Sequence, residues 1–155
     1  MKQGESFRIV AVEKAQRSPM LTGRLLSVWN ASVHASHHFL SEDDIQRLSP
    51  CAEQGLQHIR HLLVMEDQQI PVGFMGVQDR KIEMLFLHPD YFRKGLGRRM
   101  VQYAFDALDV EFVDVNEQNP DARKFYEQMG FETFKRNELD SEGNPFPILE
   151  MRRVR

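Results

Sequence analysis

The chain has almost no cysteine. Its single thiol, Cys51, excludes an intrachain disulfide framework and any zinc site built on several thiolates, and it suggests a reducing compartment. Long apolar runs are also missing. The longest, Val72 to Val77, has about six residues, against the ~20 needed to span a bilayer. No apolar stretch follows Met1 to Ser6, so no secretory signal is expected. There is no excess of basic charge: 20 basic and 23 acidic residues leave −3, which argues against a dedicated nucleic-acid binder. Repeats, low-complexity tracts and Gly/Ser/Pro linkers are absent. Residues 1–155 therefore read as one soluble, cytoplasmic domain, long enough to bury about two-thirds of its unfolded surface.

The pattern alternates strands and helices. Phe7 to Val12 alternates as a strand. Ser18-Pro19 opens a helix to about Ser32, with Met20, Leu21, Leu25, Val28 and Trp29 at helical spacing and Trp29 read as core. Ser41 caps a second, acid-led helix to about Ile59, which Pro50 should interrupt or kink. Strands follow at His61–Glu66, Ile70–Gln78 and Lys81–Leu87. A helix spans Gly97–Leu108, and a short strand spans Glu111–Val115. Asn119-Pro120 opens a helix that stops at Met129-Gly130. Strands at Phe131–Leu139 and Phe146–Met151 close the chain, joined by a polar turn. The order β-α-α-β-β-β-α-β-α-β-β favours an α/β or α+β fold on one sheet.

Chemistry concentrates where the Lys81–Leu87 strand runs through His88-Pro89-Asp90-Tyr91-Phe92-Arg93-Lys94-Gly95-Leu96-Gly97-Arg98-Arg99 into a helix. A first helical turn offers unpaired N–H groups and partial positive charge. Glycines there let an anion approach the backbone, and Arg93, Lys94, Arg98 and Arg99 add charge. This is an anion site suited to phosphate or pyrophosphate. Two common phosphate motifs are excluded. Lys94 precedes the glycines rather than following them as in Gly-x-x-x-x-Gly-Lys-Ser/Thr, and Met100 stands where Gly-x-Gly-x-x-Gly has its third glycine. A second stretch, Val113 to Phe131, joins a strand to a helix capped at Asn119 and carrying Phe125-Tyr126. Taken alone, Asn119 reads as a cap and Tyr126 as a core residue.

Together the two stretches resemble the Gcn5-related N-acetyltransferase (GNAT) superfamily. Its Arg/Gln-x-x-Gly-x-Gly/Ala loop is matched at Gly95-Leu96-Gly97. Its Asn-x-x-Ala-x-x-Phe-Tyr-x-x-x-Gly-Phe motif is matched at Asn119, Ala122, Phe125, Tyr126, Gly130 and Phe131. The element order fits over about residues 6–153. Segments 32–40, 115–119 and 140–149 resemble the small bacterial YjaB-type branch. The loop departs from the family pattern at one place, since Phe92 stands at its Arg/Gln position. Backbone amides are then expected to carry the binding, with Arg93 supplying charge.

The resemblance implies a single mixed, mostly antiparallel sheet flanked by helices. It also implies transfer of an acetyl group from acetyl-CoA to an amine, without a metal. Phe92, Arg93, Lys94, Gly95, Leu96, Gly97 and Arg98 would hold the pyrophosphate, with Arg98, Arg99 and Lys124 candidates for the remaining phosphate. Leu85, Phe86 and Leu87 would pair with the pantetheine arm as an added strand. Asn119 and Tyr126 would flank the thioester from the other side. Glu83 is the first candidate base, acting directly or through water; a backbone N–H near Leu87 would stabilise the oxyanion, and Tyr126 would protonate the leaving thiolate. His37 and Phe39 are candidate acceptor contacts. The acceptor is a small-molecule amine or a protein lysine or N-terminal amine, and the protein a monomer or homodimer. Two other functions compete: a non-catalytic acyl-CoA-binding or sensor protein of the same fold, and a metal site on His34, His37 and His38, whose spacing would share a helix face. Cys51, in the second helix, is not expected to carry an acetyl group. The Arg152-Arg153-Val154-Arg155 tail reads as a solvated terminus.

Overall fold

The computed structural model describes residues 6–154, so the expectations for Met1–Glu5 and Arg155 lie outside the described residues. Seven strands form one sheet: β1 (Phe7–Val12), β2 (His61–Asp67), β3 (Ile70–Gln78), β4 (Lys81–Leu87), β5 (Phe112–Asn116), β6 (Phe131–Asn137) and β7 (Ile148–Arg153). The spatial order is β1-β2-β3-β4-β5-β7-β6, and every neighbouring pair is antiparallel except β4–β5. Helices α1 (Pro19–Ser36), α2 (Glu42–His58), α3 (Leu96–Leu108) and α4 (Pro120–Gln128) complete the fold.

Alternation along the strands sends side chains to two cores. On one face Leu62, Val64 and Phe74 meet Leu25, Val28, Trp29 and Val33 of α1 and Ile45 and Leu56 of α2. On the other, Leu63, Met65, Met75, Ile82, Val113, Val115 and Met151 meet Leu96, Met100, Val101, Ala104 and Phe105 of α3 and Tyr126 of α4. No helix among the described residues is long and apolar enough to cross a membrane.

Several boundaries differ from the sequence reading: β2, β5 and the start of α3 shift by one residue, β6 ends at Asn137 rather than Leu139, and β7 runs to Arg153 rather than Met151, which takes Arg152 and Arg153 into the sheet and out of the expected solvated tail. Helix α1 runs to Ser36 rather than Ser32, because Val33 extends its buried face and the Ser36 hydroxyl donates back to the Ser32 carbonyl at 2.7 Å. Pro50 does not interrupt α2. Its missing N–H forfeits one bond, but packing of Ile45, Leu48, Ala52 and Leu56 on α1 holds the helix together. Strand β7 starts at Ile148 rather than Phe146, since Pro147 has no N–H for the ladder and its carbonyl takes the Glu117 N–H at 2.9 Å.

Candidate functional site

The parallel pair β4–β5 is in register only at Lys81–Phe112 and Ile82–Val113. Beyond that the strands part. The cause lies on β4: Val77 faces Ile82 and Gly76 faces Met84, so Glu83 is an extra residue, a bulge that bends the strand away. Below the fork, Lys81 Nζ and Asp114 close the joint with an ion pair at 2.5 Å.

The register determines which main-chain groups face the gap. His88 N–H bonds the Val72 carbonyl at 2.8 Å, so the opposed pairs His88–Val72, Phe86–Phe74 and Met84–Gly76 are the hydrogen-bonded ones. The alternate residues, Leu85 and Leu87, turn their N–H and C=O groups to the empty β5 side. Phe86, expected beside them, gives its main chain to Phe74 and its ring to the α1–α2 face. Side chains of Leu85 and Leu87 pack on the α3–α4 core.

At the end of β4 the chain makes a short 3-10 turn, Pro89–Tyr91, capped by the His88 ring. Tyr91 anchors it by donating to Asp67 at 2.9 Å and by edge contact with Phe7. Arg93 then takes φ 63° and Gly95 φ 77°, two left-handed residues that curl the loop before α3. A side chain at Gly95 would have room; the backbone angle is what calls for glycine there. Gly95 supplies no capping side chain, so the first N–H groups of α3 are left for an outside acceptor. Arg93, Lys94 and Arg98 are exposed around this nest, with Lys94 folded over the Tyr91 ring, while Leu96 is buried beneath it. Phe92 is half-buried. Arg99 donates to the Phe7 carbonyl at 3.3 Å and so turns toward β1.

Helix α4 borders the gap from the β5 side. Its first turn is capped by Asn119, whose Oδ1 accepts from Ala122 N–H at 3.2 Å; the side chain is buried and keeps its amide donors spare. A Cβ on Gly97 would come within 3.4 Å of Phe125, which places the first turn of α3 directly against α4. Tyr126 is buried between Phe125 and Phe131. Its hydroxyl has no protein hydrogen-bond partner and is not completely sealed, since no fully enclosed side-chain polar atom among the described residues lacks a partner. Burial pushes the phenol well above its ordinary pKa, which keeps it protonated.

Glu83 projects from the bulge and is exposed at the fork. Partial desolvation raises its carboxyl above the ordinary value; Lys81 opposes this, while Asp114 and Asp79 add to it. On the α1–α2 side a row of rings runs Phe74, Phe86, His37, Phe39, Phe146, with neighbouring centroids 5.5–6.1 Å apart. Phe146 escaped the sequence reading. It lies in the loop before β7, where Asp140 accepts from the Glu142 and Asn144 backbones and fixes the turn; its only sequence signal is the flanking pair Pro145 and Pro147.

The histidines do not share a helix face. His34 lies in α1 and contacts Glu42 at 2.6 Å; its pKa is raised, first by the Asn30 carbonyl and then by that carboxylate. His37 is the C-cap of α1, and His38 turns to the Ala35 carbonyl at 2.8 Å. The three rings go to three different partners, and no cluster of His, Cys, Asp or Glu suited to a metal exists among the described residues. Cys51 is exposed on α2.

A sheet forked at a bulge, a glycine-bent loop ending on an uncapped helix, and a second helix across the gap together set an open strand edge beside an anion site. The acetyltransferase (GNAT) domain family matches residues 31–153, and the chain belongs to that family of N-acetyltransferases, which draw the acetyl group from acetyl-CoA. It is 34% identical over 128 residues to the peptidyl-lysine N-acetyltransferase YjaB of Salmonella typhimurium, covering 83% of this chain and 88% of that one. The Escherichia coli YjaB, a peptidyl-lysine N-acetyltransferase, is 33% identical over 127 residues, 82% of this chain and 86% of its own. The apo solution structure of E. coli YjaB superposes with a TM-score of 0.82 at 31% identity, covering 96% and 97% of the two chains. The PaiA N-acetyltransferase of Thermoplasma acidophilum, solved with coenzyme A, shares the fold at a TM-score of 0.69 and 18% identity, over 94% and 98%.

Proposed function

We propose that this protein moves the acetyl group of acetyl-CoA directly to the side-chain amine of lysine in a protein or peptide. The observation that carries the reading is the fork beyond Ile82 and Val113, which leaves the main-chain groups of Leu85 and Leu87 without a strand partner. The donor's pantetheine arm has alternating amides and would complete that edge as an added strand. Its pyrophosphate would lie on the N–H groups of Gly95, Leu96, Gly97 and Arg98, inside the curl formed by Phe92, Arg93 and Lys94. Asn119, with spare amide donors, and Tyr126 would close the other side. The lysine specificity is that of the two YjaB relatives, and they supply its support here.

The thioester supplies an activated acetyl carbon. Attack requires a neutral amine, and lysine with a pKa of about 10.4 is overwhelmingly ammonium at pH 7. Glu83, through water, takes the proton; its raised pKa makes it a better base than an ordinary carboxylate. The new C–N bond forms as the carbonyl oxygen becomes anionic, and the Leu87 N–H, turned into the gap, stabilises that charge. The C–S bond then breaks, the sulfur takes the Tyr126 proton, and the second proton shed by the acylated nitrogen passes through water to restore the phenol. Burial, which raises the phenol's pKa, keeps that proton on Tyr126 until the sulfur leaves. His37 and Phe39 face the acceptor. The test follows coenzyme A thiol release with acetyl-CoA and a lysine peptide, and locates the acetyl group by mass spectrometry. Acetylated lysine supports the reading. Acetyl-CoA binding with no transfer, or transfer only to small amines, overturns it.

A further inference from the structure

One group in the aromatic row is set up for more than contact. The Ser36 hydroxyl lies 2.7 Å from the Ser32 carbonyl oxygen and 2.8 Å from His37 Nδ1. A hydroxyl has one proton, and a carbonyl oxygen at 2.7 Å can only accept it. Ser36 must therefore accept from the imidazole, which makes His37 the Nδ1–H tautomer with its lone pair on Nε2. That lone pair has no protein partner. The backbone holds the ring in place: His37 is the C-cap of α1, and its N–H bonds the Val33 carbonyl at 2.8 Å. The imidazole sits against the Phe86 ring, centroids 6.1 Å apart, on the strand whose neighbours Leu85 and Leu87 open to the gap, and against Phe39, which continues to Phe146.

We propose that His37 Nε2 accepts a hydrogen bond from the N–H of the incoming lysine amine and so aims the nitrogen lone pair at the thioester carbon, with Phe39, Phe86 and Phe146 forming the apolar wall for the lysine's methylene stem. The inference rests on the acetyl-transfer reading above and adds the residue that orients the acceptor. His37 is a positioning acceptor; the proton lost from nitrogen still leaves toward Glu83 and water, and the sulfur still takes the Tyr126 proton. Burial, with a smaller contribution from neighbouring His38, pushes the imidazole down to about 4, so it stays neutral and its lone pair stays available at any ordinary working pH.

Three substitutions separate this role from packing. His37→Phe keeps the ring stack and loses both nitrogens. His37→Asn keeps a donor toward Ser36 but has nothing at the Nε2 position. His37→Gln places an amide oxygen there. With a lysine peptide as probe, His37→Phe and His37→Asn should lower kcat/KM for the peptide by roughly tenfold, the worth of one hydrogen bond. Acetyl-CoA affinity by calorimetry should not change, and His37→Gln should recover most of the loss. Independently of activity, a long-range proton–nitrogen NMR spectrum of the imidazole at neutral pH should show a protonated Nδ1 and a bare Nε2. Full activity in His37→Phe, or a Gln variant no better than Asn, or an Nε2–H tautomer, overturns the inference while leaving acetyl transfer standing. A wild-type protein that binds acetyl-CoA and acetylates no lysine overturns both.

Discussion

Tyr126 and Glu83 carry opposite demands on a proton, and each makes a separate prediction. Tyr126→Phe removes a hydroxyl with no protein partner from an otherwise unchanged ring stack. Thermal stability should stay within about 0.5 kcal/mol and acetyl-CoA affinity should hold, while kcat falls by roughly a hundredfold; a fully active variant would remove Tyr126 from the chemistry. Glu83 works as a base only when ionised, so kcat/KM should fall as pH drops through its pKa, and that limb should lie above the ordinary glutamate value because desolvation raises the group. Glu83→Gln should abolish the limb. The same shift has a stability sign. A carboxyl whose folded pKa exceeds its unfolded value holds its proton more tightly in the folded state, so ionised Glu83 is a liability above both values. Glu83→Gln should therefore melt no lower, and slightly higher, at neutral pH, which a melting curve checks. Tyr126 is readable as part of the Asn119–Phe131 motif, and Glu83 only as an acid on the strand that runs into the Gly95–Gly97 loop, a place the family resemblance suggests. The tautomer of His37 is not, since it depends on where the Ser36 proton goes, and that follows from the late end of α1.

At the scale of elements, the joint between α2 and β2 depends on one side chain. Arg17 donates to the carbonyls of Val12, Leu56, Gln57, Ile59 and Arg60, at 2.6 to 3.4 Å, collecting the orphan acceptors at the end of α2. Burial lowers its pKa only against a very high starting value, so it stays charged. Arg17→Met should cost roughly 2–3 kcal/mol, given several bonds to a charged donor that is partly in water, and a urea midpoint measures it; an unchanged midpoint would show the cap to be redundant. Most elements were legible because caps and periodicity agree, as at Ser18-Pro19, Ser41 and Asn119-Pro120. The exceptions have physical causes. Pro50 is overridden by packing on both sides of it. The polar Asp67-Gln68-Gln69 segment reads as a hairpin turn and is one, and both it and the Asp79-Arg80 turn hold two left-handed residues without a glycine.

Across the whole molecule, the mixed sheet could be expected from element order and family resemblance, but the fork could not. It arises from a single extra residue, Glu83, whose effect depends on the register with β3 and on β5 joining for only two residues. The aromatic row was likewise hidden, because it gathers rings from α1's end, β4 and the loop before β7. The central claim is that the donor thioester lies along the open edge of β4 and against the amides at the start of α3. Backbone hydrogen exchange, followed with and without saturating acetyl-CoA, tests it most directly. Slowed exchange should concentrate at Leu85, Leu87 and the Gly95–Arg98 amides. Unchanged exchange there, with protection gathered at another surface, would contradict the account.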